Sequence, residues 1–133
     1  MLNIVHEPQL CSEQVSLLEE LLDTLPLKYR TIVALAYFTS SRIEDILSLK
    51  KKNITTEKII IKQSELGETK YVPILSNLRP YLTVYLNGYE EKESEFVFSD
   101  KLGKPLTSSL VFKVLNIVAK KINLPEIYLF VLN

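Results

Sequence analysis

The amino-acid sequence predicts a mainly helical α+β domain with a small antiparallel β-hairpin at one side. Apolar residues recur at helical spacing over residues 13–49 and again over residues 107–122. Between these stretches lie two β-branched runs that flank a polar turn containing Gly67. We therefore expect residues 13–49 to pack against the helix at 107–122, with the hairpin of residues 58–74 beside them.

Size and composition indicate one globular domain. The chain has 133 residues, 47% of them hydrophobic and 24% charged, and its 16 Lys and Arg balance its 16 Asp and Glu. A net charge of zero argues against strong non-specific attraction of the whole molecule to nucleic acid, but it allows a local basic face. Cys11 is the single cysteine, which excludes an intrachain disulfide and a cysteine cluster for zinc. With no signal peptide and no membrane-spanning apolar run, we expect a cytoplasmic protein that needs no metal or cofactor.

The individual elements follow from caps, breakers and periodicity. Residues 1–11 form a lead-in segment, in which His6 is predicted to be a surface residue rather than a ligand or a base. Ser12 suits the N-cap of a first helix, and Pro26 ends that helix or begins the next connection. The other predicted elements are a helix at Lys28–Phe38, a helix with Arg42 in its first turn that ends near Lys50–Asn53, strands at Glu57–Gln63 and Lys70–Ile74, a helix at Asn77–Tyr85, an extended segment at Phe96–Phe98, a turn at Asp100–Pro105, and a helix from Thr107 or Ser108 to Ile122.

The position of Arg42 suggests a binding role. It stands in the first turn of its predicted helix, where the helix dipole mildly disfavours a cation. Anion binding would explain this position, because a planar guanidinium grips a phosphate with two parallel hydrogen bonds and nearby backbone N–H groups add donors. An ordinary solvated arginine is the alternative, and from spacing alone it is the more common case.

The stretch Thr39–Leu49 resembles the first conserved box of the tyrosine recombinases, the phage integrase family, which runs Thr-Gly-x-Arg-x-x-Glu/Asp-Leu. Ser40 stands where the family has Gly. The segment from Ile61 through Pro73 is similar to the hairpin of lambda-type integrases, and Gly103–Thr107 with the helix after it matches the next landmark. The positions in register with the first box are Thr39, Arg42, Asp45 and Ile46.

The order of these motifs is similar to the first two-thirds of a tyrosine recombinase catalytic domain, from about Leu10 to Leu124. Such enzymes cleave DNA with a tyrosine nucleophile, and cationic side chains rather than a metal offset the charge that builds on the phosphoryl oxygens. The resemblance implies that Arg42 is the first catalytic Arg. The family's hairpin Lys, counted back from the proline, falls on Glu65, a carboxylate that should repel phosphate. Lys62 or Lys70 would replace it only if the hairpin register differs from this count.

The sequence after Leu124 contains no His-x-x-Arg box, and Tyr128 is predicted to be a packing residue rather than the nucleophile. We therefore expect a truncated, catalytically incompetent domain over residues 12–124, followed by an apolar tail over residues 125–133. For the lysines at 50–52 a solvated helix end is the alternative to a DNA contact. The residues expected to contact double-stranded DNA weakly are Arg42, as a remnant of the phosphate site, together with Lys62, Lys70, Lys50 and Lys104.

Two other functions compete with this interpretation. In the first, the chain is one half of a split recombinase and supplies Arg42 to a partner chain. In the second, it is a protein-interaction module that binds an intact recombinase or other copies of itself. DNA binding with a steep salt dependence favours the recombinase interpretations. The apolar, uncharged tail segment Ile127–Leu132 is predicted to be held in a contact within the chain or, with slight preference, between chains.

Overall fold

The structure, a computed structural model, describes residues 12–87 and 94–123, with the backbone alone for residues 12–17. The predictions for His6, Tyr128 and the tail segment Ile127–Leu132 lie outside the described residues. The predicted fold class is confirmed, since helices dominate and two strands form one antiparallel hairpin. The described elements are helices α1 (Ser12–Thr24), α2 (Leu27–Phe38), α3 (Ile43–Leu47), α4 (Arg79–Asn87) and α5 (Ser108–Lys121), a 3-10 helix (Lys51–Asn53), and strands β1 (Lys58–Gln63) and β2 (Glu68–Pro73).

Helix α2 lies at the centre of the core. Its side chains from Thr31 to Tyr37 are buried, because the segment is almost wholly apolar and has no face to turn toward water. It packs against α1, α3 and α4, while α5 packs against α1 and α3, as the sequence predicted. Each fully buried side chain of this kind, such as Ile32 or Leu35, stabilises the fold by about 1.5–3 kcal/mol relative to an exposed one.

Side chains close the open ends of two helices. The Nε of Arg30 donates to the Leu22 carbonyl at 2.7 Å and an Nη donates to the Leu25 carbonyl at 3.2 Å, which satisfies carbonyls that α1 leaves without intrahelical partners. The Thr107 hydroxyl accepts from the Leu110 N–H at 3.3 Å and so caps the N-terminus of α5. Of the two predicted N-cap residues, Thr107 and Ser108, the structure has Thr107 in this position.

The hairpin pairs Gln63 with Glu68, which leaves residues 64–67 as a four-residue turn, here called the hairpin tip. Gly67 closes the turn with φ +67°, a backbone shape that glycine adopts without steric cost, and its N–H donates to the Gln63 carbonyl at 2.8 Å. In this register Glu65 is the second residue of the tip. The β1 side chains that face the core are Ile59 and Ile61.

Helix α3 is shorter than predicted. It spans Ile43–Leu47, and Arg42 is its N-cap rather than a residue of its first turn. The backbone leaves the helix and pairs with a distant segment, since the Leu49 carbonyl accepts from the Val97 N–H at 3.1 Å. Such a long-range hydrogen bond leaves no trace in local periodicity. The isolated antiparallel bridge at this point joins Lys50 and Phe96.

Two further boundaries differ slightly from prediction. Helix α4 starts and ends two residues later than predicted, because residues 75–78 form a turn in which the Leu75 carbonyl accepts from the N–H groups of Leu78 and Arg79. Strand β2 begins two residues earlier, next to the tip, and ends at Pro73. Within the described part of the chain, no helix has the length and apolarity needed to cross a membrane.

Candidate nucleic-acid interface

The turn between α2 and α3, residues 39–42, is here called the α2–α3 corner. The Ser41 N–H donates to the Ala36 carbonyl at 2.9 Å and the Ser40 N–H donates to the Tyr37 carbonyl at 3.2 Å, the Schellman arrangement that ends many helices. Ser40 has φ +53°, a left-handed shape that costs a residue with a Cβ about 1–2 kcal/mol. It stands where the recombinase box has Gly, so the backbone keeps a glycine-like conformation without the glycine.

Arg42 extends from this corner between two carboxylates. One Nη lies 2.6 Å from Glu65 Oε2 and the other lies 2.8 Å from Glu44 Oε1. All three side chains are well exposed, with 41%, 69% and 46% of their surface accessible for Arg42, Glu65 and Glu44, so each ion pair contributes at most about 1 kcal/mol. The cluster carries two negative charges and one positive, and the two nitrogens that would grip a phosphate already donate to carboxylates.

Asp45 fixes the hairpin tip beside Arg42. Its carboxylate is buried, and Oδ1 accepts from the Ser64 N–H at 3.2 Å and from the Ser64 hydroxyl at 2.8 Å. The first residue of the tip is therefore attached to α3, which brings the next residue, Glu65, to the guanidinium. The acid of the recombinase box thus has a structural role.

Lys70 connects β2 to the α2–α3 corner. Its ammonium donates to the Thr39 carbonyl at 2.8 Å and to the Ser40 carbonyl at 3.2 Å. A cation at this point compensates the negative end of the α2 dipole and satisfies carbonyls that the helix leaves open. Burial lowers the pKa of Lys70 from its ordinary value of 10.5, and the nearby Asp45 carboxylate partly offsets this shift. Its ammonium is directed into the protein, and its predicted DNA contact stays a prediction.

The other lysines expected to contact DNA fall in two places. Lys50 and Lys62 line a small cavity of about 50 Å³ that Lys52 also lines, here called the lysine cavity. Lys104 lies in the turn before α5, where its N–H donates to Asp100 Oδ1 at 3.0 Å. Among the described residues no hydrogen bond or ion pair joins this turn to Arg42 or to the lysine cavity.

Sequence reasoning missed two features of the site: the ion pair of Arg42 with a second carboxylate, that of Glu44, and the presence of Asn53 in the lining of the lysine cavity. Glu44 follows Arg42 by two residues, and a residue that follows an N-cap so closely can reach back to it, which is the signal that was available. Asn53 lines the cavity because the 3-10 helix turns it there, and nothing local predicted that helix. In residues 12–87 and 94–123, no group of His, Cys, Asp and Glu is arranged to hold a metal ion.

The architecture is that of a recombinase catalytic core, and sequence comparison agrees. The model of the Phage integrase family matches residues 9–128, so the chain belongs to that family. It is 30% identical over 107 residues to tyrosine recombinase XerC of Lactobacillus leichmannii, a match that covers 75% of this chain and 36% of the relative. XerC of Lactobacillus delbrueckii subsp. bulgaricus is 29% identical over the same length and coverage. The chain thus spans about a third of the length of the curated relatives it matches.

Solved recombinase structures share the fold. XerA recombinase superposes with a TM-score of 0.72 at 16% identity, covering 88% of this chain and 44% of XerA. A lambda integrase dimer bound to a COC' core site gives a TM-score of 0.68 at 19% identity, covering 87% of this chain and 34% of that chain. XerH site-specific recombinase bound to palindromic difH substrate gives 0.70 at 22% identity, covering 87% and 36%. At these identities the likeness establishes the fold, and the predicted family resemblance is confirmed by the family match.

Proposed function

We propose that this domain binds the backbone of double-stranded DNA as part of a site-specific recombination system, and that it does not cleave DNA by itself. Family membership supports the first half, together with relatives that are tyrosine recombinases and fold neighbours that were solved on DNA. The observation that carries the second half is the pairing of Arg42 with Glu65. The family's lysine would bring a cation to this point, and here a carboxylate reaches it instead.

Electrostatics limit what the α2–α3 corner does in this form. Strand cleavage needs preorganised positive charge around the phosphoryl oxygens. Arg42, Glu44 and Glu65 together carry a net charge of −1. The exposed ion pairs contribute at most about 1 kcal/mol each, but the two carboxylates lower the positive potential that a phosphodiester meets at the guanidinium. Binding at Arg42 is therefore weak.

The first test measures the affinity for DNA of two variants with opposite charge changes. Arg42→Ala removes the cation and should weaken binding, whereas Glu65→Lys removes the competing anion and should strengthen it, each by about 1 kcal/mol. Fluorescence anisotropy with a labelled duplex at fixed low salt measures both. Glu20→Lys makes the same charge change on the exposed surface of α1, which packs against α2 and α5, and serves as the matched control.

A Glu65→Lys variant that binds no better than the Glu20→Lys control would contradict the proposed role of the tip. The absence of cleavage is tested with a suicide DNA substrate and the purified chain. We expect no covalent protein–DNA adduct after denaturation. An adduct that disappears when one tyrosine is replaced would refute the second half of the proposal.

A second candidate function is assembly with another recombinase chain, which includes the split-enzyme arrangement. It is favoured by large apolar side chains that stay exposed, among them Leu102 at 81%, Leu66 at 64% and Ile117 at 49%. One fold neighbour is a lambda integrase tetramer bound to a Holliday junction. Light scattering across a concentration series separates this function from DNA binding, because association through apolar surface persists at high salt whereas DNA binding falls steeply.

A further inference from the structure

The lysine cavity lies between the C-terminal end of α3, the 3-10 helix and β1. Three lysines line the cavity: Lys50 just before the 3-10 helix, Lys52 within it, and Lys62 on β1. The buried Leu49 lines it as well. The volume of the cavity is about 50 Å³, whereas a single water needs only about 10–15 Å³ by the same measure. The space therefore suits a few waters or one tetrahedral oxyanion.

The charge around the cavity is strongly positive for a chain whose total charge is zero. Its lining carries three lysines and a single carboxylate, that of Asp45. The Asp45 carboxylate is buried and already accepts two hydrogen bonds from Ser64. The net charge of the lining is +2, in contrast to the −1 of the Arg42 cluster.

Among the described residues, two of the three lysines form no ion pair. In the described part of the chain no ion pair involves Lys52 or Lys62, and both side chains are exposed. Lys50 approaches Glu95 at 3.8 Å, but the acid is 63% exposed, so this pair contributes well under about 1 kcal/mol. An incoming anion therefore meets two lysines that make no ion pair within the described residues, whereas at Arg42 it meets two carboxylates.

The cavity wall is fixed by backbone contacts from distant parts of the chain. The Lys50 N–H donates to Asn53 Oδ1 at 3.2 Å, so the amide NH₂ of this Asn53 remains a donor at the cavity. The Lys51 N–H donates to the Glu95 carbonyl at 2.8 Å, which holds the 3-10 helix against the segment before α5. Lys62 is held by its strand pairing with Thr69. The backbone that carries the three lysines is thus fixed by contacts within the fold.

We propose that the lysine cavity binds one phosphoryl group and that, in the function proposed above, this group is a phosphodiester of the DNA backbone. Lys52 and Asn53 line the cavity from the 3-10 helix and Lys62 lines it from β1, so two elements can supply donors to a tetrahedral anion. Lysine is a compact point charge suited to phosphate when no planar fork is needed. The cavity is therefore a phosphate anchor separate from Arg42, and it carries the affinity that the Arg42 cluster lacks.

The test compares two double variants of the whole chain. The cavity variant carries Lys52→Gln and Lys62→Gln, and the control variant carries Lys120→Gln and Lys121→Gln. The control removes the same charge from exposed lysines at the end of α5. In duplex titrations at several salt concentrations, we expect the cavity variant to lose about tenfold in affinity and its log–log salt slope to shrink by about 2. The control should change far less. The Lys52→Arg/Lys62→Arg variant, which keeps the charge, should retain most of the affinity.

A second arm uses inorganic phosphate and distinguishes a free anion from DNA. Phosphate should raise the melting temperature of the wild type and of the control more than sodium chloride of equal ionic strength does, and it should not do so for the cavity variant. If the wild type binds no duplex, the proposed DNA function fails, yet this phosphate effect would still establish the phosphoryl site. If cavity and control variants behave alike with both DNA and phosphate, the inference is overturned.

Discussion

The cluster of Arg42, Glu44 and Glu65 and the lysine cavity both adjoin Asp45, which bonds the hairpin tip and lines the cavity, yet their local charges have opposite signs. In the Arg42 cluster a single guanidinium lies between two carboxylates, for a net charge of −1. At the cavity three lysines face one carboxylate that is already hydrogen-bonded. The difference shows that a basic residue in a family motif does not make a site basic, because the partners that the fold brings to it decide the local charge.

The largest effect is expected from removing the residue that the two regions share. Asp45→Ala deletes the buried acceptor of two hydrogen bonds from Ser64 and should lower the free energy of unfolding by about 2–3 kcal/mol. Urea denaturation measures this loss. Asp23→Ala, on the exposed surface of α1, should cost less than about 0.5 kcal/mol. Equal losses in the two variants would show that Asp45 does not hold the hairpin tip.

A smaller effect is expected at Lys70, which stabilises the corner without taking part in the cavity. Lys70→Met removes the donor to the Thr39 and Ser40 carbonyls and should cost about 1–2 kcal/mol. The exposed Lys113→Met on α5 should cost little.

The pH dependence of this variant tests the cause of the Lys70 pKa shift. Burial holds the folded-state pKa below the ordinary value of 10.5, so the unfolded chain binds more protons than the folded one between those two values. Stability from this group therefore rises with pH in that window, and the deficit of Lys70→Met should widen as the pH approaches 10.5 from below. A deficit that shrinks instead would show that the charge on the ammonium, not its burial, dominates.

The smallest effect concerns the corner alone and should leave the cavity unchanged. Ser40→Gly relieves the left-handed conformation at φ +53°, and after the entropy that glycine adds to the unfolded chain it should stabilise by about 0.5–1 kcal/mol. Ser48→Gly makes the same change at φ −84° and should destabilise instead. Thermal unfolding of the two variants compares them, and a loss of stability in both would contradict the strain at Ser40.

The helices, the strands and the importance of Arg42 and Glu65 could be predicted from the sequence. The contact between these two residues could not. Periodicity located the helices, the polar run around Gly67 located the turn of the hairpin, and counting back from Pro73 assigned the family's hairpin Lys to Glu65. The ion pair of Glu65 with Arg42 depends on Ser64 bonding to Asp45, a contact between residues 19 apart in sequence. No local pattern encodes such a contact.

The same limit applies to α3 and to Lys70. The prediction made α3 longer than it is. The backbone hydrogen bond from Val97 to Leu49 that follows the helix comes from a distant part of the chain. Lys70 was grouped with the DNA contacts because its charge alone is visible in the sequence. Its carbonyl partners at the α2–α3 corner become visible only when β2 lies beside the end of α2.

The contact between Glu65 and Arg42 has an evolutionary consequence. Codons for glutamate and lysine differ by a single base transition, and the tip residue is 69% exposed, so the exchange disturbs no packing. One such transition would turn the cluster of Arg42, Glu44 and residue 65 from a net charge of −1 to +1. The lineage that carries this domain is thus one point mutation away from a cationic corner, and selection for or against DNA binding there can act without first rebuilding the fold.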